Sequence, residues 1–226
     1  MAKSVFITAT GTDVGKTYIT SLFVKKLRDF GFKSSYYKAA LSGAVRIGNL
    51  LVPGDAEFVK SVAGLDVLPK DLVSYIYEES VSPHLASKLE GNPLDLDKVQ
   101  SDYNRLSSLY DYLTVEGSGG IICPLRYDDK KILLEDVIKK LDLGCVVVTD
   151  SSLGTINSTV LTVAYMKSKG IKVSGIVLNR FHSGNVMEED NAFMIGELTN
   201  VPILSFVSEN AKDLVIDRET LLSLYE

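Results

Sequence analysis

Residues 5–17 read VFITATGTDVGKT, an apolar run that breaks into a polar, glycine-containing loop, and residues 18–30, YITSLFVKKLRDF, follow with helical spacing. A strand, a glycine loop and a helix in immediate succession aim several backbone N–H groups at one point, an arrangement suited to gripping phosphate. The ending GKT fits such a loop. Lys16 would reach the β- and γ-phosphates, and the Thr17 hydroxyl would hold Mg²⁺. The usual spacing, G-x-x-x-x-G-K-[ST], asks for glycine at position 10, where this chain has Thr10, with Gly11 one place late. A plain strand-to-helix turn with a solvated Lys16 is the alternative. Placement between a buried strand and an amphipathic helix favours the phosphate site.

Working outward, 226 residues suit one domain, 1–226, large enough for a full core. Net charge is −5 with no basic cluster, which argues against nucleic acid as the main partner. The longest apolar stretches, such as CVVV at 145–148, are too short to cross a bilayer, so no membrane partner is expected. The N-terminus enters a strand pattern directly, without a secretory signal, and a cytoplasmic location is the expectation. Cys123 and Cys145 stand apart, suggesting small buried hydrophobes and neither a zinc cluster nor a disulfide framework.

Strands are expected at 5–8, 34–39, 112–117, 145–150, 173–179 and 203–207. Several of these runs are continuously apolar, as parallel strands covered on both faces are. Helices are expected at 17–30, 55–63, 83–90, 95–109, 132–141, 155–169 and 187–199. The alternation predicts a three-layer α/β fold: a mainly parallel sheet flanked by helices, with right-handed crossovers. Ligands in such sheets sit beyond the carboxyl ends of the strands. The segments there are TATGTDVGKT, KAALSG, VEGSGG, TDSSLGTIN and LNRF, an unusually polar and glycine-rich set.

VEGSGG (115–120) places Glu116 where a phosphate-loop protein keeps a metal-directed carboxylate. Gly117, Gly119 and Gly120 would let backbone approach a ligand. In KAALSG (38–43), Lys38 either offers a positive charge to a phosphate or carboxylate, or is simply solvated. Asp55 reads most simply as the N-cap of a helix starting AEFVKSV, with metal ligation as the other reading. His84 in SPH marks a helix start capped by Ser82; His182 is a loop residue; MEED (187–190) is an acidic first turn.

Taken together, these residues resemble the dethiobiotin synthetases, phosphate-loop enzymes that close the ureido ring in biotin synthesis. That family's loop, T-G-T-D-T-x-V-G-K-T, aligns with residues 8–17 without a gap. Its K-P-x-x-S-G, S-P-H and V-E-G-[AS]-G-G are met by KAALSG, SPHLAS (82–87) and VEGSGG. LGTINS (153–158) and VLN (177–179) answer its L-G-T-I-N-H and V-x-N. There are departures: Ala9 stands for the first loop glycine, Ala39 for a proline and Ser158 for a histidine. The chain also ends soon after VPILSF, where longer relatives place base contacts.

The resemblance implies ATP- and Mg²⁺-dependent ring closure of 7,8-diaminopelargonate with CO₂ or bicarbonate, through a carbamate and a carbamic-phosphoric anhydride. Lys16 and Lys38 would be catalytic. Asp13, Val14, Gly15, Lys16, Thr17, Tyr18, Glu116, Gly117, Ser118, Gly119 and Asn179 would bind the nucleotide, Asn179 at the adenine edge. Thr17, Asp55 and Glu116 would ligate Mg²⁺. Ser42 would meet the carbamate or an amine, while Gly154, Thr155 and Asn157, from the partner subunit of a homodimer, would meet the substrate carboxylate. The rival reading is a nucleotide-switched partition or metal-delivery ATPase of the same fold. Those carry an early loop lysine, which TATGT lacks, and no lysine equivalent to Lys38 in KAALSG.

Overall fold

The structure is a computed structural model and describes residues 1–225. The strands are β1 (Lys3–Ala9), β2 (Ser34–Leu41), β3 (Val45–Ile47), β4 (Leu50–Val52), β5 (Val73–Ile76) and β6 (Tyr112–Glu116). They continue with β7 (Pro124–Tyr127), β8 (Lys131–Leu133), β9 (Cys145–Asp150), β10 (Val173–Asn179) and β11 (Ile203–Val207). The helices are α1 (Lys16–Asp29), α2 (Gly54–Ala63), α3 (Pro83–Leu89) and α4 (Leu96–Ser107). After them come α5 (Leu134–Leu141), α6 (Thr155–Ser168), α7 (Val186–Thr199) and α8 (Arg218–Ser223).

Seven strands form one sheet in the order β11-β10-β9-β1-β6-β2-β5, and every pairing in it is parallel. The central strands are buried on both faces. Along β1, Phe6 enters one hydrophobic cluster while Val5, Ile7 and Ala9 enter the other, as the period-two alternation of a strand requires. In β2 all eight residues are buried, which explains why SSYYKAAL shows no polar–apolar alternation. The carboxyl ends of β1, β2 and β6 are neighbours in this order. The phosphate loop, KAALSG and VEGSGG therefore open on the same edge of the sheet.

All six expected strands are present, and a seventh, β5, closes the edge beside β2. It is only four residues long and follows a 3₁₀ turn at Pro69–Leu72, so its sequence VSYI carries too little pattern to declare itself. Two antiparallel hairpins, β3–β4 and β7–β8, stand outside the main sheet and were not expected. The second, through β8, takes residues 132–133 from the start of the helix expected at 132–141. The chain beyond β11 is also more ordered than VPILSF suggests. Leu214, Leu221, Leu224 and Tyr225 join the cluster of Phe23 and Leu27 from α1, and the Tyr225 hydroxyl pairs with Thr114 Oγ1 at 2.8 Å.

Candidate functional site

The loop after β1 takes its shape from two left-handed residues, Asp13 (φ 63°) and Gly15 (φ 90°). Aspartate tolerates that conformation better than most side chains do. Gly15 is required twice over. A Cβ there would also lie 2.0 Å from Asn179 Nδ2. Thr10 is not left-handed, so the glycine missing from the usual spacing is not needed at that point. Its hydroxyl instead donates inward to Thr149 Oγ1 at 3.1 Å. The last residue of β10 and the one after it brace the loop from outside: Asn179 Nδ2 donates to the Val14 carbonyl at 3.0 Å, and Arg180 to the Asp13 carbonyl at 2.8 Å. Helix α1 begins at Lys16, placing Thr17 and Tyr18 in its first turn.

Beside the loop, sheet register sets the chemistry. β2 and β6 pair so that Lys38 stands directly opposite Glu116. Glu116 Oε1 accepts from Lys16 at 2.9 Å, Lys38 at 2.9 Å and Thr17 Oγ1 at 2.7 Å. Lys38 Nζ also reaches Asp55 Oδ2 at 2.5 Å. Lys38 and Glu116 are almost wholly buried, at 3% and 1% exposure. Burial pushes the Glu116 carboxyl up, but the charges of Lys16 and Lys38 outweigh it and bring its pKa down to about 2. Burial likewise disfavours the Lys38 ammonium, and Glu116 and Asp55 outweigh that too, holding it above the usual lysine range. Both groups stay ionised. The result is a buried, fixed cation beside a fixed carboxylate.

A cleft of about 770 Å³ opens above this cluster. Asp13, Gly15, Lys16, Thr17 and Tyr18 line one side, Lys38, Ser42 and Asp55 another, and Ser118 and Gly119 a third. Thr17, Asp55 and Glu116 bring a hydroxyl and two carboxylates to the same place, the hard-oxygen donors Mg²⁺ takes alongside phosphate and water. The donor set fits that ion.

A family model described as an AAA domain matches residues 3–214. A protein of Clostridium botulinum (strain Alaska E43 / Type E3), named ATP-dependent dethiobiotin synthetase BioD, is 48% identical over 226 residues, covering 100% of this chain and 99% of its own. One of the same name from Brachyspira hyodysenteriae is 48% identical over 227 residues, covering all of both chains. The chain belongs to the dethiobiotin synthetase family. Among solved structures it is similar to the MinC:MinD cell division complex of Aquifex aeolicus, with TM-score 0.58 and 16% identity over 93% of this chain and 83% of that one. A ParA family ATPase from Chlorobium tepidum TLS gives 0.54 and 19%, over 98% and 89%. At those identities the likeness extends to the phosphate-loop fold alone.

Several family positions do something other than the sequence suggests. Asp55 is not a cap: Pro53 holds that position and α2 starts at Gly54, leaving Asp55 in the first turn and free to face Lys38. Gly117 is also required by the core, since a Cβ there would meet Leu134 at 2.9 Å and Phe6 at 3.0 Å. Ser118 donates to the Ala40 carbonyl at 2.6 Å, tying VEGSGG to KAALSG. Ser82 occupies the N-cap of α3 without a side-chain cap bond. Within MEED, Glu188 is buried, accepting from Ser151 Oγ at 2.8 Å and the His182 backbone at 2.7 Å.

Gly154, Thr155 and Asn157 do not line the cleft. Thr155 is buried, and its hydroxyl donates to the Asp150 carbonyl at 2.7 Å, while Asn157 is exposed. Arg180, which the sequence did not single out, lines the cleft, as does Cys123, expected only as a small buried hydrophobe, and Tyr36 lies beneath it. Arg180 sits one place after the VLN motif and is left-handed (φ 56°), an adjacency that could have signalled it. Tyr36 carried no signal, being one aromatic in an apolar strand.

Proposed function

We propose that the chain is an ATP- and Mg²⁺-dependent dethiobiotin synthetase, closing the ureido ring of dethiobiotin from 7,8-diaminopelargonate and CO₂. It works in the cytoplasm as a single-domain protomer of a homodimer. The observation that carries this reading is the buried Lys38 ammonium held against Glu116 beside the GKT loop, in a chain whose full-length relatives bear that name. Phosphate binding alone needs only the loop. A second fixed cation, on β2 across β6 from the loop's strand, gives a negatively charged acceptor a place next to the γ-phosphate.

One amine of the substrate adds to CO₂, losing a proton, to form a carbamate. A carbamate oxygen then attacks the γ-phosphorus and ADP leaves. Lastly the second amine attacks the carbamoyl carbon and phosphate departs. Anion meets anion at the second step, so fixed positive charge there lowers the barrier. Lys16 follows the transferred phosphoryl group, and Lys38 holds the carbamate. Ser42 donates to the carbamate or an amine. Backbone N–H groups of residues 13–18 cradle the phosphates, with Asn179 at the adenine edge. Thr17, Asp55 and Glu116 would hold Mg²⁺, whose charge neutralises the phosphate oxygens. Holding amine and anhydride in contact gives ring closure its proximity advantage.

The substrate carboxylate lies at the start of α6 from the second protomer, around Gly154, Thr155 and Asn157, where helix N–H groups and dipole favour an anion. Incubation with ATP, Mg²⁺, bicarbonate and diaminopelargonate should yield dethiobiotin by mass. ATP binding without product would refute the synthetase reading and leave the nucleotide-switched ATPase.

A further inference from the structure

Tyr36 lies on β2, two residues before Lys38, so both side chains project from the same face of the strand. It has no exposed surface, and its hydroxyl donates to Glu116 Oε2 at 2.9 Å. The cluster thus divides between the two carboxylate oxygens. Oε1 accepts from Lys16, Lys38 and Thr17, while Oε2 accepts from Tyr36.

Phenylalanine would fill this core position as well as tyrosine does. A buried hydroxyl costs free energy unless it is bonded, so its presence here points to a use for the bond. The terminal torsion of a glutamate is broad and sets no orientation by itself. On the reading above, Lys16 and Thr17 belong to the loop that grips nucleotide, and both would be drawn toward phosphate or metal when nucleotide arrives. Tyr36 is held in a central strand with its ring packed in the core, and it cannot follow them.

We propose that Tyr36 is a positioning residue for the metal-binding carboxylate: its hydroxyl pins Glu116 Oε2 so that Oε1 stays aimed at the metal and at Lys38 as the phosphate loop fills. This rests on the reading of Glu116 as a magnesium ligand.

The test uses the full-length protein, with Mn²⁺ as the metal probe and a non-hydrolysable ATP analogue. Calorimetry gives the nucleotide affinity with Mn²⁺ and in EDTA, and their ratio is the gain due to the metal. Tyr36→Phe should lose about tenfold of that gain, as loss of an outer partner of a metal ligand does. Its affinity in EDTA should stay near wild type. Adding Tyr36→Phe to Glu116→Ala should cause no further loss. Should Tyr36→Phe prove unstable, Tyr36→Met keeps an apolar side chain without a donor and carries the same expectation. If Tyr36→Phe keeps the full gain while Glu116→Ala loses it, Tyr36 is packing only and the proposal fails. If neither variant changes the gain, Glu116 is not a metal ligand, and the reading beneath the proposal falls with it.

Discussion

Lys38 Nζ lies 2.9 Å from Glu116 Oε1, and the two residues are register partners on neighbouring parallel strands. Their meeting is therefore a property of the sheet and not of two flexible side chains finding one another. Sliding β2 by one residue against β6 would turn Lys38 to the opposite face. Buried strand pairing thus supplies the preorganisation that electrostatic catalysis requires.

If Lys38 holds the carbamate, Lys38→Ala should lower turnover by about 10²–10³-fold or more while leaving ATP affinity close to wild type. Glu116 would still have Lys16, Thr17 and Tyr36 as partners, so the phosphate loop keeps its neighbour. Single-turnover kinetics and calorimetry separate the two effects. Loss of nucleotide binding would show that Lys38 serves ATP and not the carbamate.

The acid limb of stability should report Glu116. Burial opposes its charge, Lys16 and Lys38 outweigh burial, and its pKa falls from an ordinary 4.5 to about 2. A folded-state pKa below the unfolded one means that the unfolded chain binds the proton first. The stabilisation is then complete above pH about 4.5 and is lost as pH falls toward about 2. Urea unfolding should show wild type losing stability through that window more steeply than Glu116→Gln. At pH 7 the variant should be less stable by about 3–5 kcal/mol, the usual cost of breaking a buried pair. Equal slopes would mean that Glu116 does not carry the acid transition.

Much of this was legible in the sequence because it depends on short-range pattern. Short strand-like runs, several of them continuously apolar, marked six strands of the sheet, and the polar segments at their ends marked the edge where Lys16, Lys38 and Glu116 meet. What escaped depends on tertiary placement. The β5 strand is defined by its pairing with β2, and the two hairpins by turns within polar stretches. Asp55 looked like a cap because an aspartate ahead of a helix usually is one; its actual task is visible only once Lys38 stands opposite. Tyr36 and Gly117 are defined wholly by what surrounds them in the core.

Two glycines of the loop should behave oppositely. At Gly11 the backbone is not left-handed, and a Cβ would meet nothing within 4 Å. Gly11→Ala should leave stability unchanged or raise it by about 0.4–1 kcal/mol through the unfolded state. Gly15→Ala meets both a φ of 90° and Asn179 Nδ2 at 2.0 Å, and should cost about 1–3 kcal/mol and most nucleotide affinity. Thermal unfolding compares them directly. Similar effects at the two positions would contradict the geometry of the loop.

Site sharing across a dimer has a complementation test. Asn157 is exposed and outside its own protomer's cleft, whereas Lys38 is at the floor of its own. If the partner's α6 completes each site, Lys38→Ala and Asn157→Ala should each be impaired. Mixing and reassembling them should restore up to about one quarter of wild-type turnover, since half the dimers are mixed and each has one intact site. No recovery, or a fully active monomer by light scattering, would place the whole site within one chain.

Restoring the absent glycine should bring no benefit. Thr10 donates to Thr149 Oγ1 at 3.1 Å, and that oxygen also pairs with Thr155 Oγ1 at 2.8 Å and accepts from Thr159 at 3.0 Å. The loop is thereby joined through hydroxyls to the ends of β9 and α6, while Asp13 and Gly15 already supply its left-handed turns. Thr10→Gly removes one partly buried hydrogen bond and adds freedom to the unfolded chain, together about 1–2 kcal/mol of lost stability. ATP affinity should fall or stay level. Tighter binding in Thr10→Gly would mean that the hydroxyl network strains the phosphate loop instead of supporting it.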